Sequence, residues 1–348
     1  MDEDAGESEP MRQAYETEPQ AEEGPAICDF CRMPISAETV IATVGDHTYT
    51  CCTAHCRDAL EQTSSVFTEY HGFRRFPPGI DGLDAALPQG IPRNAFVLLA
   101  GQAGTRLNAL GIELIWRTLT RGEPAVIVTF TEPPISLVQG FLDLKWNVLP
   151  ALESNRLRFV DCFSTHIDNP DRYRRRLDRW NEHLSGITDP SVTTVTDPGD
   201  VREMQSKLDD ALEALGMVDR GTVYIDSLTE FGTLVQPVQA YGFIKELRAE
   251  VCKGRFVPIF GGAIVTGNGE EFPFDLAYML DGIIDLTLAE GIVEDTLIRR
   301  MRVRKMDGVL AISEWRAYEF TSARGLLTFD PQEEMAAKQA ASEEPYTS

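Results

Sequence analysis

Six short apolar runs lie between residues 96 and 288, and they constrain the fold more than any other feature of the sequence. The runs cover residues 96–100, 125–130, 157–162, 222–228, 257–266 and 282–288. Runs this apolar are typical of strands that are buried on both faces of a mostly parallel sheet. We therefore predict that most of the chain folds around one such sheet.

Helical patterns separate these runs. In the clearest pattern, apolar residues recur at helical spacing behind an aspartate, Asp200, that is placed to cap the helix; these residues are Val201, Met204, Leu208, Leu212 and Leu215. The alternation of strand and helix predicts a doubly wound α/β sheet. Residues 296–305 and 315–320 have the pattern of further strands, which we expect to extend the sheet in the antiparallel sense.

Composition divides the chain into five parts. Residues 1–25 are acidic and almost free of bulky apolar side chains, so we predict that they form a disordered tail. We predict a metal-binding module at 26–66, a linker at 67–76, the large domain at 77–330, and a second acidic tail, disordered or a frayed helix, at 331–348.

The formal net charge is −23, from 55 acidic and 32 basic residues. Such an acidic surface resembles that of halophilic proteins, which stay soluble in concentrated salt. It disfavours binding to a nucleic-acid backbone at low salt, although high salt would screen the repulsion.

The chain has no apolar run of about 18 residues and no apolar signal-peptide core. We therefore expect a cytoplasmic protein without a membrane span.

Cysteines crowd into the N-terminal part of the chain. Cys28 and Cys31 form a CxxC pair, and Cys52 and Cys56 form a CxxxC pair about twenty residues later. Two such pairs supply the four thiolates of a closed tetrahedral zinc site. We predict a structural Zn²⁺ ion bound by these four residues. The neighbouring Cys51 is either a spare thiol or an alternative ligand.

The order of features in this module resembles the TRASH/YHS-type treble-clef domains. A CxxC pair is followed by a hairpin at residues 45–49, and then by a CxxxC pair that enters a helical pattern at 56–60. The resemblance implies a treble-clef zinc module. Since TRASH-like domains have been linked to metal sensing, it also leaves open a metal-responsive regulator. Four thiolates already close the site, which favours the structural role.

The first apolar run leads into a glycine-rich turn at residues 101–108, and a helical pattern follows. In a phosphate-binding loop of this kind, backbone N–H groups at the start of the helix surround the phosphates. The candidate nucleotide-binding residues are Gly101, Gly104, Thr105, Arg106 and Asn108.

Further motifs surround this turn in a fixed order. They are Gly-Ile-Asp-Gly-Leu-Asp at 79–84, Gly-Ile-Pro-Arg at 90–93, Phe-Thr-Glu-Pro-Pro at 130–134, Tyr-Ile-Asp-Ser-Leu at 224–228, Asp-Gly-Ile-Ile at 281–284 and Lys-Met-Asp-Gly at 305–308. The series resembles the KaiC and RadA branch of the RecA superfamily over residues 79–329. The resemblance implies a RecA-like fold, a P-loop that binds ATP and Mg²⁺, and packing of one subunit against the next around the nucleotide.

The resemblance also assigns roles within the loop, and three of them fall on altered residues. The lysine that reaches the phosphates falls on Leu107, and the hydroxyl that binds Mg²⁺ falls on Asn108. The glycine before the lysine falls on Arg106, whose side chain is expected to crowd the turn.

Outside the loop, the catalytic motifs are partly kept. Of the paired glutamates that activate water, the first falls on Thr131 and the second is Glu132. The Walker B aspartate is Asp226, which could instead cap the next helix. In the motif that reaches a neighbouring subunit's γ-phosphate, Lys305 is kept and the arginine is replaced by Asp307.

These changes predict a pseudo-ATPase. A single positioned arginine contributes about 10³ to 10⁵ in the rate of phosphoryl transfer, so the combined losses should leave negligible turnover. We predict a regulatory or scaffolding protein that acts through protein contacts, in a self-oligomer or with KaiC-like paralogues. The alternative is a nucleotide-binding ATPase with an atypical loop, in which Arg106 supplies the missing charge.

A basic cluster at 172–179 is as consistent with a solvated helix face as with nucleic-acid binding.

Overall fold

The computed structural model describes residues 26, 28–29, 35, 39–44, 47–69, 74–166, 175, 191–265, 277–293 and 296–333. The chain divides into two units, Met1–Glu69 and Tyr70–Ser348. The predicted tail at 1–25, most of the tail at 331–348, and the basic cluster at 172–179 except Arg175 lie outside the described residues. Among the helices that are described, none combines the length and the apolar character that a membrane crossing requires.

The N-terminal unit contains a hairpin and a helix. Strands β1 (Val40–Val44) and β2 (His47–Cys51) pair in the antiparallel sense. Helix α1 (Ala54–Glu69) follows and extends well beyond the helical pattern at 56–60. At its start, the hydroxyl of Thr53 accepts a hydrogen bond from the Cys56 amide at 3.2 Å. The predicted hairpin is therefore present, and the helix is longer than its pattern indicated.

The large unit is built on a ten-stranded sheet. In sheet order, its described strands are β14, β13, β12, β11, β5, β10, β9, β6, β7 and β8. Their bounds are β5 Phe96–Gly101, β6 Ala125–Thr129, β7 Leu157–Asp161, β8 Val192–Thr194, β9 Thr222–Asp226, β10 Ile259–Ile264, β11 Gly282–Val293, β12 Thr296–Met306, β13 Arg316–Thr321 and β14 Gly325–Phe329. Two short strands, β3 (Arg75–Phe76) and β4 (Ile91–Pro92), pair separately.

The strand directions confirm the predicted fold. The pairs from β11 through β5, β10, β9, β6 and β7 to β8 are all parallel. The pairs β11 with β12, β12 with β13, and β13 with β14 are antiparallel. The chain therefore forms a mostly parallel RecA-like sheet with an antiparallel extension.

Helices cover both faces of the sheet. Their bounds are α2 Asp81–Ala86, α3 Leu107–Thr120, α4 Pro134–Asp143, α5 Leu149–Glu153, α6 Val201–Ala214, α7 Leu228–Leu234 and α8 Pro237–Leu247, with a π-helix at Arg248–Gly254. One apolar core lies under α3 and α4, and a second lies under α6, α7 and α8. The predicted cap is confirmed, because the Asp200 carboxylate accepts hydrogen bonds from the amides of Arg202 and Glu203.

Several predicted strand ends are wrong by a few residues. The run at 222–228 ends as a strand at Asp226, because Ser227 caps α7 by accepting a hydrogen bond from the Glu230 amide. The run at 282–288 continues to Val293. Strand β11 pairs with β5 only as far as Leu286 opposite Gly101, so the β11–β12 hairpin extends past the end of β5.

An ion cluster fixes the starts of β5 and β11. Asp281 accepts a hydrogen bond from the Phe96 amide at 2.9 Å, and its carboxylate binds Arg248 at 2.8 Å and Lys253 at 2.9 Å. The two cations lie five residues apart in the π-helix, whose wider turn brings both onto one carboxylate. Strand β5, which leads into the glycine-rich turn, is therefore anchored at its start.

Candidate functional site

The glycine-rich turn connects β5 to α3. Gly104 has φ +91°, and Arg106, directly before the first residue of α3, has φ 60° and ψ 41°. A residue with a side chain is strained in this left-handed region, by about 1 kcal/mol relative to glycine. The backbone thus keeps, at Arg106, the conformation that glycine adopts most easily.

Leu107 belongs to the core. Only 3% of its surface is exposed, and it packs in the cluster under α3. Its side chain lies against two glycines. A Cβ atom placed on Gly101 would be 3.3 Å from both Cβ and Cδ1 of Leu107, and one placed on Gly262 would be 3.7 Å from its Cδ2. Leu107, which the motif predicts at the lysine position, therefore lies beneath the turn, among apolar side chains.

Tyr224 fills the adjoining space between α3 and the sheet. It is fully buried, and a Cβ atom on Gly111 of α3 would lie 2.0 Å from its Cζ. Its hydroxyl approaches Gly262, where a Cβ atom would lie 3.1 Å away. Leu107 and Tyr224 thus converge on Gly262 and occupy the space below the start of α3.

The turn is braced by residues from the antiparallel extension. The side-chain carbonyl of Gln102 accepts hydrogen bonds from the Leu288 amide and the Thr287 hydroxyl, both at 2.9 Å. Arg299 Nε donates to the Gly104 carbonyl at 3.0 Å, and the Tyr318 hydroxyl donates to the Thr105 carbonyl at 2.6 Å. Sequence reasoning missed Gln102, Arg299 and Tyr318, because two of them lie about 200 residues from the turn and no local motif marks them.

The predicted nucleotide-binding residues differ in exposure. Gly101 and Thr105 are buried, and the Thr105 hydroxyl turns back to donate to the Gln102 carbonyl at 2.6 Å. Gly104, Arg106 and Asn108 are exposed. The exposed surface of the turn is therefore formed by Gln102, Ala103, Gly104, Arg106 and Asn108.

Asp226 ends β9 and is fully buried. Its Oδ2 accepts a hydrogen bond from the Thr131 hydroxyl at 2.6 Å. Its Oδ1 and the Tyr224 hydroxyl make no hydrogen bond of good geometry within the described residues, although the two groups influence each other's ionisation. Burial raises the pKa of Asp226 and the nearby charge of Glu132 raises it further, whereas the Thr131 hydrogen bond lowers it. The alternative role of Asp226 as a helix cap is wrong, because Ser227 caps α7.

The two other predicted catalytic residues lie apart from each other. Glu132 is exposed, and its backbone carbonyl accepts a hydrogen bond from the Thr129 hydroxyl. Lys305 pairs with Ile283 near the start of β11. It therefore lies towards the end of the sheet at which β5 and β11 begin, whereas the glycine-rich turn follows the end of β5. Its Nζ donates to the Leu280 carbonyl at 2.6 Å and lies 3.3 Å from the Asp307 carboxylate. Asp226 and Glu132 are therefore near neighbours, and Lys305 is remote from both.

The N-terminal unit brings three of the predicted zinc ligands together. The sulfur atoms of Cys28, Cys52 and Cys56 all lie within 4.8 Å of one another, and those of Cys52 and Cys56 are 3.6 Å apart. Four sulfurs around one Zn²⁺ ion, each at about 2.3 Å, would lie about 3.8 Å apart, so this spacing fits zinc. Cys31 lies outside the described residues.

The cysteine cluster is held against β2. The Asp29 amide donates to the Thr50 carbonyl at 2.8 Å, and the Thr50 amide donates to the Asp29 carboxylate at 2.6 Å. Cys51 is fully buried at the end of β2. Its burial, followed by the nearby thiols of Cys28 and Cys56, raises the pKa of its own thiol.

Comparison with known proteins assigns the large unit. The profile of the family described as "ATPase: KaiC" matches residues 76–332. A UPF0273 protein of Pyrococcus horikoshii is 26% identical over 256 residues, which cover 74% of this chain and 94% of that protein. A UPF0273 protein of Thermotoga maritima is 27% identical over 257 residues, which cover 74% and 96%.

A solved structure shares the fold. The crystal structure of a KaiC-like protein from Pyrococcus horikoshii superposes with a TM-score of 0.54 at 19% identity, and covers 74% of this chain and 100% of that chain. The profile match begins at residue 76, so the cysteine-bearing unit lies outside it.

We expect Asp226→Asn to stabilise the protein at neutral pH. Because burial raises the folded-state pKa of Asp226, the stability that this carboxyl contributes is present below its unfolded pKa of about 4 and is lost as the pH rises through the folded value. Asparagine keeps an acceptor for Thr131 and carries no charge. Urea unfolding should therefore show an advantage for the variant that grows as the pH rises above about 4.

The matched control is Asp210→Asn, which removes an exposed carboxylate of α6. Its effect on the free energy of unfolding should stay within about 0.5 kcal/mol. An Asp226→Asn variant that is less stable than the wild type at pH 8 would contradict the expectation.

Proposed function

Because the chain belongs to the KaiC family of ATPases, we propose that it is a non-hydrolysing member of that family. In this proposal it acts in regulation or scaffolding through contacts with other proteins. The packing of Leu107 beneath the glycine-rich turn is the observation that carries the proposal.

A hydrolysing P-loop needs a cation on the β- and γ-phosphates. Leu107, at the lysine position, has no donor, and it shares the space below the turn with Tyr224. If a lysine stood at position 107, its ammonium group could reach the phosphates only by passing from this apolar space to the outer side of the turn. Arg106 occupies that part of the turn. This arrangement supports the loss of the charge that stabilises the transferring phosphoryl group.

The residues at the metal position do not fit Mg²⁺. The ion requires near-octahedral oxygen ligands, and in P-loop proteins a hydroxyl of the loop and the Walker B aspartate help to hold it. Here the hydroxyl position is occupied by Asn108, and Asp226 is fully buried with one oxygen bound to Thr131.

A second candidate is nucleotide binding without hydrolysis, and the geometry of the turn favours it over hydrolysis. The carbonyls of Gly104 and Thr105 are engaged by Arg299 and Tyr318, and the first amides of α3 have no partner within the helix, so they can bind an anion. Arg106 is an exposed residue of the turn and Arg299 Nε binds the Gly104 carbonyl, so both are cations that a phosphate could use. This candidate shares the loss of hydrolysis with the first.

The proposed partners are other copies of this chain or KaiC-like paralogues. Lys305 lies towards the opposite end of the sheet from the turn in its own subunit, so any contact with a phosphate would involve a second chain. Asp307, at the place of the arginine, gives this motif a carboxylate that would repel a phosphate. We therefore propose that assembly, where it occurs, does not depend on ATP.

We expect purified protein to show no ATP hydrolysis above a buffer blank at saturating Mg²⁺, in single-turnover assays with radiolabelled ATP. Its mass by light scattering should be the same with and without ATP. The control is Asp226→Ala, which should match the wild type in both measurements.

Hydrolysis by the wild type that disappears in Asp226→Ala would contradict the proposal and favour a working ATPase with an atypical loop. Binding of a fluorescent ATP analogue without turnover would instead select the second candidate.

We also propose that the N-terminal unit holds a structural Zn²⁺ ion through Cys28, Cys31, Cys52 and Cys56. The sulfur spacing of the three described ligands supports it, as does the small size of the unit's apolar core. In the alternative of a metal-responsive regulator, the ion would exchange under mild chelation. A closed site of four thiolates should retain it.

Cys56→Ser should abolish stoichiometric zinc binding and unfold the N-terminal unit, because metal binding and folding are coupled in small zinc modules. Zinc released after thiol modification and far-ultraviolet circular dichroism measure the two effects. Cys252→Ala, which removes a buried thiol of the large unit, should leave the zinc content unchanged. Full zinc content in Cys56→Ser would refute this site.

A further inference from the structure

One face of β12 carries a row of arginines. Met301 and Val303 are buried in the core under α3, so the alternating Arg300 and Arg302 point to the opposite side of the sheet. Arg304 joins them there, because it binds the same carboxylate as Arg302. We call Arg300, Arg302, Arg304 and the adjoining Trp315 the arginine face.

The guanidinium groups of this face are held in place. Asp285 accepts hydrogen bonds from Arg302 Nε at 2.9 Å and from Arg304 Nε at 2.7 Å, and also from Arg304 Nη2. The Cζ atoms of Arg300 and Arg302 lie 5.2 Å and 4.4 Å from the centroid of the Trp315 ring. Preorganised guanidinium groups lose little side-chain entropy when they bind a further anion.

The arginine face has more positive charge than its own structure needs. Among the described residues, one carboxylate, Asp285, binds two of the three guanidinium groups, and the third, that of Arg300, lies over Trp315. The side chains of Arg302 and Arg304 remain 34% and 46% exposed. On this side of the described sheet, α6 and α7 pack on β6, β7 and β10. These strands lie on the other side of β5 from β12, which carries the arginine face. Neutralising Asp285 needs only one positive charge, so a purely structural role does not explain the remaining positive charge of these arginines.

The surrounding charge limits what can bind. The chain carries a net charge of −23, which repels a long polyanion such as nucleic acid. A short acidic segment interacts within a Debye length of about 8 to 10 Å and avoids most of that repulsion. The bidentate contact of Arg304 with Asp285 shows that the face accommodates carboxylates.

We propose that the arginine face binds an extended, carboxylate-rich segment of a partner protein. Alternate residues of a strand are about 6.8 Å apart, and so are alternate residues of an extended peptide, so acidic residues at every second position would face successive arginines. This binding site goes beyond the proposed function. It does not depend on whether the chain binds or hydrolyses ATP.

The test uses the full-length chain and a fluorescein-labelled peptide of six Glu-Thr repeats. Fluorescence anisotropy should report saturable binding that weakens as the salt concentration rises. The double variant Arg300→Gln/Arg302→Gln should weaken binding at least about tenfold. The matched control Arg202→Gln/Arg220→Gln removes two exposed arginines elsewhere and should leave the affinity unchanged.

The single variant Arg300→Gln keeps both cationic partners of Asp285, so it tests the face with its ion cluster intact; it should also weaken binding. Thermal unfolding confirms that each variant is folded. Equal affinity of the wild type and both arginine-face variants would overturn the proposal. So would equal binding of a Gln-Thr repeat peptide, or binding of an oligothymidylate in place of the acidic peptide.

Discussion

The packing of Tyr224 and Leu107 against Gly111 and Gly262 is the constraint on which the rest of the site depends. A side chain at Gly111 would overlap the Tyr224 ring, and one at Gly262 would crowd the Tyr224 hydroxyl. Because interiors are close-packed, these contacts fix the distance between α3 and the sheet, and with it the path of the turn. Leu107, which the sequence motif predicts at the position of the phosphate-binding lysine, is part of the core.

Hydrogen bonds join the glycine-rich turn to the antiparallel extension of the sheet. Gln102, Gly104 and Thr105 are bound by residues of β11, β12 and β13, so the antiparallel extension is attached to the glycine-rich turn. Asp226 remains as a buried carboxyl with a raised pKa, bound to the Thr131 hydroxyl and near the carboxylate of Glu132. In the function that we propose, this end of the sheet gives stability and shape, and contacts with other proteins carry the function.

The sequence predicted the sheet well, because buried strands are marked by apolar runs and the antiparallel extension by its own two patterns. The spacing of the cysteines also predicted that Cys28, Cys52 and Cys56 would lie together. It could not predict that Tyr224 would lie under the turn, since any residue of a buried strand reads as core. The braces from Arg299 and Tyr318 and the arginine face arise from pairing between distant segments, which local patterns do not record.

The most direct measurement of the central claim is the free energy of unfolding of Leu107→Ala, compared with Asn108→Ala in the next position of α3. If Leu107 is part of the core, its truncation should cost about 2 to 5 kcal/mol. Truncation of the exposed Asn108 should cost no more than about 0.5 kcal/mol. Equal stability of the two variants would mean that the Leu107 side chain lies free above the turn, and would contradict the account.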